Sequence, residues 1–144
     1  MKSEKLDALV YFLMDKTVRI SKKYALKRLK EEGYNITIDQ WVILLRIHEE
    51  KQQTQVKLAV AVNKDTASIT RILDLLHGKK LVRRIPNEYD KRKSALVLTS
   101  KGEDYVREAK EIVEAIREEG LKNISATDIE TTNRVLKQMA INMT

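Results

Sequence analysis

The segment from Lys64 to Gly102 constrains this chain most, because a helical repeat gives way to two β-prone runs and then to a second helix start. Within Asp65–Leu76, the residues Ile69, Ile72, Leu73 and Leu76 fall at i, i+3, i+4 and i+7, which makes one apolar helix face. Ala67, Ser68, Thr70, Arg71 and Asp74 fall on the opposite face, and most of them are short and polar. Two β-prone runs follow, Leu81–Ile85 and Ser94–Leu98, joined by the charged loop Pro86–Lys93. A helix with a small polar face followed by a basic hairpin suits one element to a DNA major groove and the other to the backbone or minor groove. Duplex DNA is the partner this segment predicts.

Charge is concentrated in the same place. Residues 54–98 hold ten Lys/Arg against four acids, a net of +6, whereas the other 99 residues hold eighteen against seventeen, a net of +1. A charge run alone reads as a solvated face that keeps a protein soluble. Its confinement to the helix–hairpin segment favours a phosphate-facing surface instead.

At 144 residues and 42% hydrophobic, the chain fits one domain with an ordinary core. One proline and four glycines leave few helix breakers, so most of it is expected to be helical. No apolar run approaches the ~18 residues of a membrane span, and Met1–Lys5 does not lead into a secretory pattern. A cytoplasmic protein with no membrane partner is expected. The absence of cysteine excludes disulfides, thiolate metal sites and thiol regulation. His48 and His77 are not paired at ligand spacing, so no metal or other cofactor is expected. An enzyme would need a nucleophile with its base, paired carboxylates in a cleft, or a phosphate-binding glycine loop, and the sequence offers none of these.

The first helix is expected from about Glu4 to Glu32, ended by Gly33. Its run Ala8–Met14 is apolar on every side, which demands burial on more than one side, one of them expected to be another subunit. Thr37 and Gln40 have capping-box spacing and start a second helix with Trp41, Leu44, Leu45 and Ile47. Thr54 is placed to cap a third, Gln55–Val62, with Leu58, Ala59 and Val62 pointing inward. The turn Asn63–Asp65 then gives the third and fourth helices the proportions of a helix-turn-helix. After the hairpin, Thr99 and Ser100 compete as N-caps, and Ser100 has Glu103 three residues on. The fifth helix carries Val106, Ala109, Ile112, Val113 and Ile116 and is expected to end at Gly120. A sixth runs from Ser125 to about Asn142 with Ile129, Leu136, Met139 and Ala140. The expected fold is mainly α with a small β-hairpin, a winged helix-turn-helix core over about 37–98 between helical ends.

These residues resemble the multiple antibiotic resistance regulator (MarR) family over nearly the whole chain. The most specific piece is Asp90-Lys91-Arg92 followed by Val97-Leu98-Thr99 and Gly102. It is similar to the family's wing, an aspartate and an arginine two apart, an apolar strand and Leu-Thr-x-x-Gly. Leu58-Ala59, Thr70-Arg71 and Leu81-Val82-x-Arg84 also match. One position departs: the family's usual glycine before Leu-Val is Lys80 here, with Gly78 two residues earlier, so the fourth helix either ends sooner or leaves by a turn of another shape. The resemblance implies a single domain over 1–144 with dimerisation helices at about 4–32 and 100–142. It further implies a homodimer facing consecutive major grooves, and regulation of nearby genes, usually repression, relieved by a small aromatic or anionic effector.

Thr66, Ala67, Ser68, Thr70 and Arg71 are the candidate recognition-helix residues, against the plain alternative of a solvated helix face. Arg71 is placed either to bond guanine O6/N7 bidentately or to clamp a phosphate, and Ala67 to touch a thymine methyl. Asp65 suits a helix cap better than a base reader. In the wing, Arg92 is the candidate for the minor groove, with Asp90 orienting it and Lys91 and Lys93 flanking it. The alternative there is a surface ion pair worth ~0–1 kcal/mol. Lys64, Arg83 and Arg84 are candidate phosphate contacts, Arg84 being equally suited to an internal pair with Asp90. Trp41 reads either as core or as a ligand-stacking residue. A winged helix used only for protein–protein contact is the other class of function, and the basic wing argues against it.

Overall fold

The computed structural model describes residues 5–51, 53–90 and 93–144. Among the described residues, six α-helices and a two-stranded hairpin follow in chain order: α1 (Val10–Glu31), α2 (Ile38–Glu49), α3 (Gln55–Val62), α4 (Thr66–Gly78), β1 (Val82–Ile85), β2 (Ala95–Leu98), α5 (Ser100–Gly120) and α6 (Ala126–Asn142). The mainly helical winged helix-turn-helix architecture is the one expected. Among the described residues, no helix is long and apolar enough to cross a membrane.

Most helix starts are set by the side chains that predicted them. Thr37 and Gln40 form a complete capping box, at 3.1 and 3.2 Å. Thr54 Oγ1 accepts from the Lys57 N–H, and Ser125 Oγ from the Asp128 N–H. Thr99, not Ser100, caps α5 by accepting from the Gly102 N–H at 3.0 Å. Glu103, freed from a capping box, pairs instead with His48 at the end of α2, 2.8 Å away. The first helix is the exception. A 3₁₀ turn at Leu6–Ala8 and an extended Leu9 precede α1, which starts at Val10 rather than near Glu4. Leu9 has no side-chain oxygen to cap the first turn, so no local side chain ties the early residues into one continuous helix.

Three helices end in the same closing pair of bonds. At α1, Tyr34 N–H reaches Leu29 O and Gly33 N–H reaches Lys30 O, with Gly33 at φ +88°. At α3, Lys64 N–H reaches Ala59 O and Asn63 N–H reaches Val60 O, with Asn63 at φ +52°. At α4, Leu81 N–H reaches Leu76 O and Lys80 N–H reaches His77 O, with Lys80 at φ +61°. Each is a Schellman closure, which requires one left-handed residue. At Lys80, where the family's usual glycine is absent, α4 thus closes by the same turn as α1 and α3. A lysine holds the conformation that glycine usually takes.

The hairpin is antiparallel, with Val82 opposite Leu98 and Ile85 opposite Ala95. A third segment joins it, since the Leu96 N–H donates to Gln53 O at 2.7 Å, which ties the α2–α3 connection to β2. The core lies where α2, α3, α4, the hairpin and α5 meet. Ile69, Leu73 and Leu76 of the predicted stripe are buried, with Ile72 half-buried. Ile43, Leu44, Leu58, Leu81, Leu96 and Val106 are buried with them. Helix α5 adds Ala109, Val113 and Ile116.

The two ends of the chain behave differently. No residue of α6 is buried, and of Ala8–Met14 only Phe12 and Met14 are even half-buried. The all-round apolar run is thus not enclosed by its own chain, contrary to the expectation that one side would pack internally. Val10, Leu13, Met14 and Val18 of α1 face Val135, Leu136 and Met139 of α6 across an open apolar groove of ≈ 490 Å³.

Candidate nucleic-acid interface

The N-terminus of α4 is built by Asp65. Its Oδ1 accepts from the Ser68 N–H at 2.8 Å and its Oδ2 from the Ser68 hydroxyl at 2.7 Å. The Ser68 backbone bond, then the hydroxyl bond, hold the Asp65 carboxyl below its usual pKa. Ser68 Oγ in turn accepts from Arg71 Nη2 at 3.2 Å. The Asp65–Ser68–Arg71 chain runs along the exposed side of α4 and draws the guanidinium toward the helix start. Thr66, Ala67 and Arg71 are exposed and Ser68 is half-buried, so three of the five candidates stand clear of the core around one end of the helix.

The fifth, Thr70, is engaged by the helix before it. Its Oγ1 donates to Thr66 O at 2.9 Å and accepts from Gln55 Nε2 at 2.5 Å. Gln55, the first residue of α3, therefore belongs to the polar face of α4. A glutamine directly after the Thr54 cap is the only sequence signal for this, and it does not specify the partner.

Lys64 lies just before α4 and is half-buried. Its Nζ stands 3.3 Å from Asp39 Oδ1, which also takes the ammonium of Lys22 at 3.0 Å. Asp39 of α2 thus ties α1 to the helix-turn-helix turn. Burial pushes the Asp39 carboxyl up, but the two lysines outweigh it and leave the group below its ordinary pKa.

In the wing, side chains alternate across the strand. Arg84 shares the face of the buried Val82 and reaches toward α4, with Nη2 4.0 Å from Asp74 Oδ1. Arg83 projects from the opposite face and is exposed. At the loop, Asn87 Oδ1 accepts from the N–H groups of Tyr89 and Asp90, at 2.9 and 3.2 Å, and Asp90 O accepts from the Lys93 N–H at 3.0 Å. These bonds brace the described residues on either side of the loop tip, and Lys93 is exposed. Lys91 and Arg92 lie outside the described residues.

Trp41 packs in the core at 3% exposure, beside the other apolar residues of α2. Among the described residues, no group of three or more His, Cys, Asp or Glu side chains could hold a metal ion.

This geometry has counterparts. Residues 36–94 match the model of the MarR family. A cysteine-to-serine variant of MarR from E. coli, in complex with operator DNA, is similar over 95% of this chain and 99% of its own at 26% identity and a TM-score of 0.82. S. aureus MepR in a DNA complex covers 93% and 98% at 22% identity and 0.82. Bordetella bronchiseptica BpsR, described with regulation of DNA binding by 6-hydroxynicotinic acid, covers 96% and 98% at 18% identity and 0.85.

Proposed function

The chain belongs to the MarR family of winged-helix proteins, and from that membership we propose that it is a DNA-binding transcriptional regulator, a homodimer repressing from an inverted-repeat operator. One observation carries the reading. A helix start with Thr66, Ala67 and Arg71 exposed and Ser68 half-buried stands beside a hairpin that bears Arg83, Arg84 and Lys93. Phosphate contacts position such a protein, and base-edge contacts from the helix specify its site. Ala67 and Arg71 are assigned to base edges, and Arg83 and Lys93 to phosphates. Lys64 joins them only by leaving or sharing Asp39. From the sequence, Arg92 is assigned to the minor groove with Lys91 beside it. The operator complex of the E. coli protein and the DNA complex of the S. aureus protein support the same mode here.

The dimer is proposed on the apolar groove of α1 and α6. A C₂ pair reuses one patch on both partners, and this patch is an apolar groove that the single chain leaves open. Ligand response is proposed by analogy with the BpsR relative. A small aromatic or anionic effector would act between the dimerisation helices and the DNA-binding core, near Trp41. Preference for one spacing of the two recognition helices suffices, and a coupling of ~1–3 kcal/mol lowers DNA affinity about 5–150-fold. Thiol oxidation has no group to act on.

Selection of bound sites from a random duplex library tests the proposal. The expected product is an inverted repeat with half-site centres about one helical turn, ~10 bp, apart. If about eight phosphates are neutralised, log K against log[salt] should fall with a slope near −7. No enrichment, or a slope shallower than about −2, overturns the reading.

A further inference from the structure

Beside the start of α3 lies a recess of ≈ 530 Å³, lined by Arg46, Glu50, Lys51, Gln53, Lys57 and Ala61. Three cations face one carboxylate there. Arg46 and Glu50 stand four residues apart, the spacing of a helical ion pair, yet neither Arg46 nor Lys51 forms an ion pair among the described residues. Gln53, at 3% exposure, makes part of the inner wall. The α3 helix start adds to the positive field. Thr54 takes the Lys57 and Leu58 N–H groups, and those of Gln55 and Val56 have no acceptor among the described residues.

Two contacts fix where this recess lies. Gln55 donates to Thr70 on the polar face of α4, and Gln53 pairs with Leu96 of β2. The recess itself lies on the other side of α3 from Gln55, where Lys57 and Ala61 face the end of α2 and the α2–α3 connection. In a helix-turn-helix docked on DNA, the first helix of the pair crosses the sugar–phosphate backbone while the second enters the major groove. A guanidinium and ammonium groups around a concave wall suit a phosphate oxygen cluster, the guanidinium bidentately and the ammoniums as point charges.

We propose that this recess is a phosphate-binding site for the duplex backbone, with Arg46 and Lys51 as contacts supplied by α2 and the α2–α3 connection, outside the basic helix–hairpin segment. The proposal rests on the DNA-binding reading above, and it widens the footprint of each protomer beyond the helix–hairpin segment.

The test compares the wild type, the double variant R46Q/K51Q, and the control K110Q/K122Q, which removes the same charge from exposed positions at α5 and beyond it. Salt dependence of binding to one selected duplex is measured for all three, with urea midpoints confirming that each is folded. At about 0.9 in slope per phosphate, the recess variant is expected to be shallower than the control by ~1 per protomer, ~2 for a dimer. Equal slopes for recess variant and control overturn the proposal. A second arm titrates the free wild-type protein with inorganic phosphate at constant ionic strength, following the Arg46 Nε–H resonance. Saturation at millimolar phosphate together with an unaltered duplex slope would assign the recess to a free oxyanion and overturn its assignment to the backbone. Failure of the wild type to bind any duplex would overturn the DNA reading itself, which the slope comparison does not do.

Discussion

A β-carbon on Gly102 would lie 2.0 Å from the carbonyl oxygen of Leu81 and 3.3 Å from the Leu98 β-carbon. The same Leu81 oxygen accepts the Thr99 N–H at 3.0 Å, and Thr99 Oγ1 both accepts from the Gly102 N–H and donates to Lys80 O at 2.6 Å. The Leu-Thr-x-x-Gly pattern is thus a device that presses the first turn of α5 against the exit of α4 and the root of the wing. The obstacle to a side chain at 102 is backbone, which does not swing aside. Gly102→Ala is expected to destabilise the protein by about 3 kcal/mol, the upper range for overpacking, seen as a lower urea midpoint. A midpoint within error of wild type would show that the approach relaxes freely.

Lys80 holds a left-handed conformation at φ +61°. An ordinary residue there costs about 1–2 kcal/mol, and glycine returns about 0.5–1 of that through its greater freedom when unfolded. Lys80→Gly should therefore raise stability by about 0.5–1 kcal/mol. Lys80→Ala removes the charge without relieving the strain, and its midpoint should not rise. A rise in both would assign the effect to charge.

What the sequence made legible was local. Caps at Thr37, Thr54 and Ser125, the stripe Ile69–Leu76, and the ends at Gly33 and Gly120 each depend on residues within one or two turns. The closure at Lys80 was not legible, because no lysine signals a left-handed residue. Leu81, Thr99 and Gly102 hold it there from outside the helix. Nor were the Gln53–Leu96 bridge, the Gln55–Thr70 bond and the Asp39 hub, whose partners are distant in sequence. For the site, the sequence marked the exposed residues of α4 but not that Ser68 and Thr70 already have partners within the protein. It also marked Arg84 for either phosphate or Asp90, whereas it leans toward Asp74.

Asp39 gives a pH dependence of defined sign. Its folded pKa lies below the ordinary 3.8, so the stability it contributes is fully present above that value and is lost as pH falls through the folded pKa. The stability difference between wild type and Asp39→Asn should be level from neutral pH to about 5 and shrink below about 4. With both lysines partly exposed, its size should stay below ~1 kcal/mol and fall further in salt. A difference that grows on acidification would reverse the assigned sign.

Leu13 lines the α1–α6 groove at 44% exposure. Leu13→Asp places a carboxylate in the proposed dimer seam, where burying an unpaired charge is strongly unfavourable. Sedimentation at micromolar concentration should show a dimer for wild type and a 16.7 kDa monomer for the variant. Operator affinity should fall with it, because one domain reads only a half-site. A wild-type monomer would remove the basis for an inverted-repeat operator.

Arg71 and Arg92 should fail in different ways. Arg71 is steered along α4 by Ser68, 3.2 Å away, at the end of the helix that would enter the groove. If it reads a base, Arg71→Ala costs ~1–3 kcal/mol and relaxes preference at one position per half-site. Ser68→Ala should then produce a milder form of the same change, since the guanidinium loses its tether but not its charge. Arg92 carries charge from the wing, and its loss should weaken binding on most sequences, most where flanks are A·T-rich and the minor groove is narrow. Competition assays across single-base operator variants separate the two. Equal, sequence-independent losses for Arg71→Ala and Arg92→Ala would make Arg71 a phosphate clamp and leave base reading to Thr66 and Ala67.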